Sequence, residues 1–219
     1  MLYERHKVWS VLLRLFHWGF ALSIVVLVTT GLYIHFPWTN TMVIGGTSSF
    51  PVATMRYIHF IAGFVFTASL LVRIYLLLFG NRQEKFWNLL PITPRNSKNL
   101  FSTLKCYLYL TDEHDQRQCH WLGHNALAGI VYFITFLVAL IQIISGFYML
   151  YPESVFWQKW GLLLLGPQQQ GRWTHYLIMW YLIFFAAMHI YLVIWNDVRN
   201  EEGLISSIFT GIKYTPKKT

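Results

Sequence analysis

His175 and His189 lie fourteen residues apart in the last long apolar stretch of the chain, Arg172 to Trp195 (RWTHYLIMWYLIFFAAMHIYLVIW). Fourteen helical steps of about 100° return a side chain to within roughly 40° of its starting face, about 21 Å further along the axis. Two imidazoles on one stripe of an apolar helix are candidate metal ligands at two separate levels. His17 and His59 sit in other apolar stretches. Ionisable groups in such surroundings are expensive and usually functional. The plainer alternative for any one of them is an imidazole that only hydrogen-bonds a neighbouring helix.

The elements that must position these side chains follow from composition. Of 219 residues, 55% are apolar and 12% charged, too apolar a balance for an ordinary soluble fold. The formal net charge of +8 has no polar face on which to gather, which excludes nucleic acid as a partner. Four runs reach the roughly 20 residues that cross a bilayer, at about 12–36, 56–79, 125–151 and 173–195. Away from their ends, the only full charges inside them are Arg14 and Arg73. Continuous apolar runs without period-two alternation argue for helices rather than a barrel. The expected fold is an all-α membrane protein, a four-transmembrane-helix bundle forming one domain over 1–219.

Orientation follows from Lys and Arg. The N-terminal segment, the segment after the second run, the tail and Arg73 together hold 14 of the 17 basic residues and fall on one side. By the positive-inside rule that side is cytoplasmic and holds both termini. His17 is then near the inner face, His59 near the outer, His175 outer and His189 inner. The four histidines form two pairs at matched depths, His17 with His189 and His59 with His175. A bis-imidazole site needs two ligands at one level on facing helices, and that arrangement occurs twice. Aromatic and glycine neighbours, rather than Cys or carboxylates, favour haem iron over zinc. The expectation is therefore two stacked haems. Cys106 and Cys119 form no CxxC or CxxCH sequence, so the haems are non-covalently held and an Fe–S cluster on this chain is not expected.

The fourteen-residue step also leads from His17 to Gly31 and from His59 to Arg73. Gly31 would let the backbone approach the outer macrocycle, and Arg73 would meet a propionate or a semiquinone charge. A packing glycine and a snorkelling arginine are the alternatives. Arg14, Arg56 and Arg172 each precede a proposed ligand by three residues, on the same helix face, where a guanidinium can bind a haem propionate. Gly63 and Gly146 are read as close-packing positions. His124 and Asn125 open the third run at the inner face and could donate to a quinone carbonyl, or simply be interfacial polar groups. Lys98–Thr111 has the apolar and polar faces of a helix lying on the membrane surface. Pro37–Met55 and Pro152–Gly171 are read as outer loops forming a landing surface for a partner. The N-terminus shows no small-residue cleavage site and is read as leading into the first span.

Several motifs together resemble the b-type cytochrome subunit of membrane-bound NiFe hydrogenases. They are Arg14-Leu-Phe-His17-Trp18 with Thr30-Gly31, Arg56-Tyr-Ile-His59-Phe-Ile-Ala-Gly63, Phe79-Gly80-Asn81-Arg82, Gly123-His124-Asn125, Leu165-Gly166 with Gln168 and Arg172-x-x-His175, and Glu201-Glu202-Gly203-Leu204-Ile205-Ser206. The resemblance implies a dihaem cytochrome b in the cytoplasmic (inner) membrane, with both termini cytoplasmic. Such a subunit anchors the hydrogenase small and large subunits at the periplasmic face, takes electrons from their Fe–S chain and passes them to quinone. It is an electron-transfer subunit rather than a catalyst alone. Cytochrome b subunits of formate dehydrogenase and other molybdoenzymes look similar. Gly80-Asn81-Arg82, Gly123-His124-Asn125 and the acidic Ile-Ser tail favour hydrogenase. Where family members carry a second His or Trp-His-Arg, this chain has Trp173-Thr174-His175-Tyr176. From another class, a small transporter would show broken helices and a midplane site.

Overall fold

The computed structural model describes residues 3–38, 43–44, 47–48, 50–81, 83–85, 100, 105, 126–199 and 203–216. Four helices are long and apolar enough to cross a membrane. They are α1 (Val11–His35), α2 (Pro51–Phe79), α3 (Ala126–Leu150) and α4 (Gln168–Arg199). Ser10 starts α1, its Oγ accepting from the Leu13 amide at 3.1 Å as a helix-capping side chain does. α2 begins at Pro51 rather than at Arg56, because proline at the first helical position lacks the N–H that would have no partner there. α4 begins at Gln168 rather than Trp173 and continues to Arg199. An apolar run measures the length in hydrocarbon, whereas helical hydrogen bonding continues into polar surroundings at both ends.

Leu15, Leu22, Leu71 and Phe184 are 61% to 66% exposed on these helices, apolar surface that lipid accepts and water does not. The buried hydroxyls of Ser23, Thr30, Ser69, Thr135 and Ser145 donate to carbonyls of their own helices, which meets the demand that polar groups in lipid be satisfied internally.

The expected outer loop Pro152–Gly171 is instead partly helical. It holds a π-helical turn at Trp157–Gly161, a single turn at Leu162–Leu165 and the start of α4. Between α1 and α2, β2 (Val43–Ile44) and β3 (Thr47–Ser48) pair as a short antiparallel ribbon. The surface helix expected over Lys98–Thr111 falls outside the described residues, apart from Leu100 and Lys105. His124, Asn125, Cys106 and Cys119 also lie outside them.

The chain packs as two compact units, and each of the four long helices contributes to both. In the unit of Leu15–Leu71 and Ala139–Phe184, Phe20 stacks on Phe66 at 4.6 Å and Phe64 meets Phe147 edge-on at 5.7 Å. His35 stacks on Tyr176 at 4.7 Å. Tyr148 fixes where α4 starts. Its hydroxyl donates to the Gly166 carbonyl at 3.0 Å, and its own carbonyl accepts from Gln168 Nε2 at 3.1 Å. Gly171 lies so close that a Cβ there would be 2.9 Å from the Tyr148 ring. Tyr148→Phe keeps the ring and removes the bond to Gly166, so it should cost about 1 kcal/mol and lower the melting temperature by about 3 °C. Thermal unfolding of the purified variant checks this.

In the unit of Met1–Arg14, Val72–Val138 and Phe185–Thr219, β1 (Tyr3–Lys7) pairs antiparallel with β4 (Ile212–Pro216), from Tyr3 opposite Pro216 to Lys7 opposite Ile212. The two ends of the chain therefore share one side. The Val8 and Trp9 amides both donate to the Gly211 carbonyl. A short helix, α5 (Leu204–Thr210), runs between the left-handed residues Gly203 and Gly211. It is held by Trp9 Nε1 donating to Ser207 Oγ at 3.1 Å and by Arg14 Nη1 donating to the Phe209 carbonyl. Neither this ribbon nor α5 has an apolar run long enough to announce it.

Glu84 is the polar centre of this unit and is 1% exposed. Its Oε1 accepts from the Ser10 amide and its Oε2 from the Asn81 amide, both at 2.9 Å. Arg73 Nη1 donates to the Glu84 carbonyl at 3.2 Å, and the guanidinium and carboxylate attract one another. Gly80 makes room, since a Cβ there would lie 2.8 Å from Glu84 Oε2.

Candidate functional site

Of the two expected histidine pairs, His59 on α2 and His175 on α4 lie in the same unit and face each other, with ring centroids 6.3 Å apart and planes inclined at 59°. Two metal–nitrogen bonds of about 2 Å, continued to the centre of each ring, put axial imidazole centroids about 6 Å apart. The rings thus stand at the separation one iron between them requires. Among the described residues no group of three or more His, Cys, Asp or Glu side chains could hold a bare metal ion. Two opposed imidazoles suit an iron whose other four ligands come from a porphyrin.

Each imidazole is held by a hydroxyl and a glycine that follow one another in sequence. Thr30 Oγ1 on α1 lies 2.9 Å from His59 Nδ1, and Ser145 Oγ on α3 lies 2.9 Å from His175 Nδ1. A Cβ on Gly31 would come 3.3 Å from His59 Cε1, and one on Gly146 would come 3.5 Å from His175 Cε1. Gly31 thus lies against the His59 ring. Gly146 is a close-packing position. Gly63 is not, because a Cβ there would meet no heavy atom within 4 Å among the described residues.

His189 lies in the other unit. Its Nδ1 is 3.3 Å from the Tyr132 hydroxyl on α3, and Phe185, one turn earlier on α4, stacks on it at 5.7 Å. Tyr132 and Gly146 are fourteen residues apart on α3, the same step that separates His189 from His175. His17 belongs to the unit of His59 and His175, and its ring meets that of Trp18 edge-on at 5.3 Å.

The arginines divide into two groups. Arg56 and Arg172 are exposed one turn ahead of His59 and His175, and no described residue accepts a bond from either. Arg14 binds the Phe209 carbonyl, while its Nε is buried with no hydrogen-bond partner among the described residues. Arg73 reaches past the end of α2 to the Glu84 carbonyl. It is 8% exposed and engaged with Glu84.

Thr30, Ser145, Tyr132 and Glu84 did not stand out as site residues in the sequence. The doubled hydroxyl–glycine dipeptide, Thr30-Gly31 and Ser145-Gly146, was the available signal for two of them. Glu84 was marked only as an acidic residue in a basic stretch, between Arg82 and Lys85. Tyr132 is one of 13 tyrosines and carried no signal.

The family model described as prokaryotic cytochrome b561 matches residues 8–211 of the chain. A probable Ni/Fe-hydrogenase B-type cytochrome subunit of Cupriavidus necator is 32% identical over 215 residues, covering 94% of this chain and 86% of the relative. The corresponding subunit of Azotobacter vinelandii is 32% identical over 213 residues, 93% of this chain and 86% of its own. A probable Ni/Fe-hydrogenase 1 B-type cytochrome subunit of Escherichia coli is 28% identical over 219 residues, 95% of this chain and 90% of its own.

Proposed function

We propose, given that the chain belongs to the prokaryotic cytochrome b561 family, that it is the membrane anchor and electron-transfer subunit of a NiFe hydrogenase, carrying electrons to the quinone pool with two b haems. The observation that carries the cofactor reading is the 6.3 Å separation of the His59 and His175 rings. The printed names of relatives that match the chain nearly end to end support the hydrogenase partner. Bound haem supplies a one-electron iron couple, and this chain supplies the ligands, a water-poor surrounding and position.

His59 and His175 would hold the iron of one haem. His17 and His189 would hold that of the other, a pairing that rests on helical spacing and depth in the sequence. Arg56 and Arg172, one turn from the first pair and unengaged among the described residues, suit anionic propionates. Arg14 has an unmet Nε for the same purpose. Arg73 is shared with Glu84, which leaves it a weaker candidate. His124 and Asn125 remain the proposed quinone donors. Both termini and the basic segment after α2 are cytoplasmic, supported by the positive-inside bias and by the pairing of β1 with β4. The hydrogenase then docks at the opposite, periplasmic end of the spans. All four spans run unbroken, which argues against a transporter built on interrupted helices.

The reduced-minus-oxidised spectrum of the purified protein should show b-type haem bands, and hydrogen should reduce them in native membranes. Absence of the bands would overturn the cofactor reading. Reduction by formate but not by hydrogen would move the partner to a molybdoenzyme.

A further inference from the structure

We propose that Thr30 and Ser145 are positioning residues that fix the proton of each outer imidazole on Nδ1, so that Nε2 of His59 and of His175 is left to bind iron. The proposal rests on the reading of these two histidines as ligands of one haem. The hydrogen bonds determine the direction of each contact. Thr30 Oγ1 donates to the Val26 carbonyl at 2.6 Å, and Ser145 Oγ donates to the Gln142 carbonyl at 2.9 Å. A hydroxyl has one proton to give. With that proton given to a carbonyl, each oxygen accepts, which assigns the ring nitrogen 2.9 Å away as the donor.

A neutral imidazole otherwise divides between two tautomers, of which only one presents Nε2 with a free lone pair.

The same device occurs twice on different helix pairs, α1 against α2 and α3 against α4. In both, the glycine that follows the hydroxyl lies against the ring at Cε1, where a Cβ would come within 3.3 Å at Gly31 and into ordinary contact at 3.5 Å at Gly146. A chain of carbonyl, hydroxyl and imidazole N–H polarises along its length. It makes each ligand more basic, which favours ferric over ferrous iron. These hydroxyls therefore set ring orientation and hold down the reduction potential of the haem between His59 and His175.

The test is an optical redox titration of the full-length protein, comparing wild type with Thr30→Val and Ser145→Ala and with the conservative Thr30→Ser and Ser145→Thr. Valine keeps the shape of threonine and removes only the bonding oxygen. Thr30→Val and Ser145→Ala should each raise the midpoint potential of one and the same haem. Thr30→Ser and Ser145→Thr should return it towards the wild-type value. Loss of that haem in Thr30→Val with retention in Thr30→Ser would equally support the proposal. Unchanged potentials in Thr30→Val and Ser145→Ala, equal shifts of both haems, or shifts that the conservative variants fail to reverse would overturn it. His59→Ala separates the two levels of the argument. If it keeps both haems, the ligand assignment itself fails. If it loses one while Thr30→Val and Ser145→Ala behave as wild type, only the positioning role fails.

Discussion

Replacing His175 with alanine should remove one of two haems and leave the protein inserted in the membrane. The His175 imidazole on α4 stands 6.3 Å from that of His59, ring centre to ring centre, and an iron that loses one of two imidazole ligands is held weakly by the other. Folding should survive because the change leaves no new buried donor. Ser145 Oγ keeps its bond to the Gln142 carbonyl, and the rest of α4 remains an apolar span. His59→Ala should give the same loss. The double variant should be no worse than either single one, since two ligands of one iron act as a unit and their effects do not add. Haem-to-protein ratio, measured as extracted haem against protein mass, gives the result, and resistance of the variant to alkaline extraction from membranes gives insertion. Electron transfer from hydrogen to quinone should fall to background in both variants. Loss of both haems from either single variant would count against two separate sites.

Glu84→Ala should destabilise the protein by about 2–4 kcal/mol, since a donor that loses its acceptor costs about 1–3 kcal/mol and two backbone amides lose theirs. Two groups lose what they face, the Ser10 amide at the start of α1 and the Asn81 amide beyond the end of α2, while Arg73 keeps its bond to the residue 84 carbonyl and loses only the attraction of the carboxylate. Ser10 is half-buried, and the nearer such a donor lies to the buried Glu84 position, the more its loss of a partner costs. For a chain of this length such a loss lowers the melting temperature on the order of 10 °C. Glu84→Gln, which keeps one acceptor oxygen and no charge, should fall between wild type and Glu84→Ala. Thermal unfolding in detergent checks the series, and a Glu84→Ala protein that melts with wild type would refute the role given to this carboxylate.

The four spans were legible because bilayer thickness imposes a length and an apolar composition that need no tertiary information. Their ends were less so. Pro51 and Gln168 start helices whose first turns lie outside the apolar runs, and hydropathy says nothing about hydrogen bonding in polar surroundings. The placing of His175 and His189 on one stripe follows from the fourteen-residue step, which is a property of one helix and therefore written in one stretch of sequence. The same step on α3, from Tyr132 to Gly146, was passed over because neither residue type announces ligation.

Sequence alone thus determined the membrane class, the four helices, the candidate ligands and the family resemblance, all of which depend on local periodicity or on motifs contiguous in the chain. Tertiary structure decided what each ligand touches. That His59 meets Thr30 and Gly31, that His175 meets Ser145 and Gly146, and that Glu84 joins the start of α1 to the end of α2 depend on contacts between residues 29, 30 and 74 positions apart. Hydrogen bonds of that kind are fixed by the rotation and depth at which helices pack. Packing is settled by the side chains of two helices together, and no single stretch of sequence contains it.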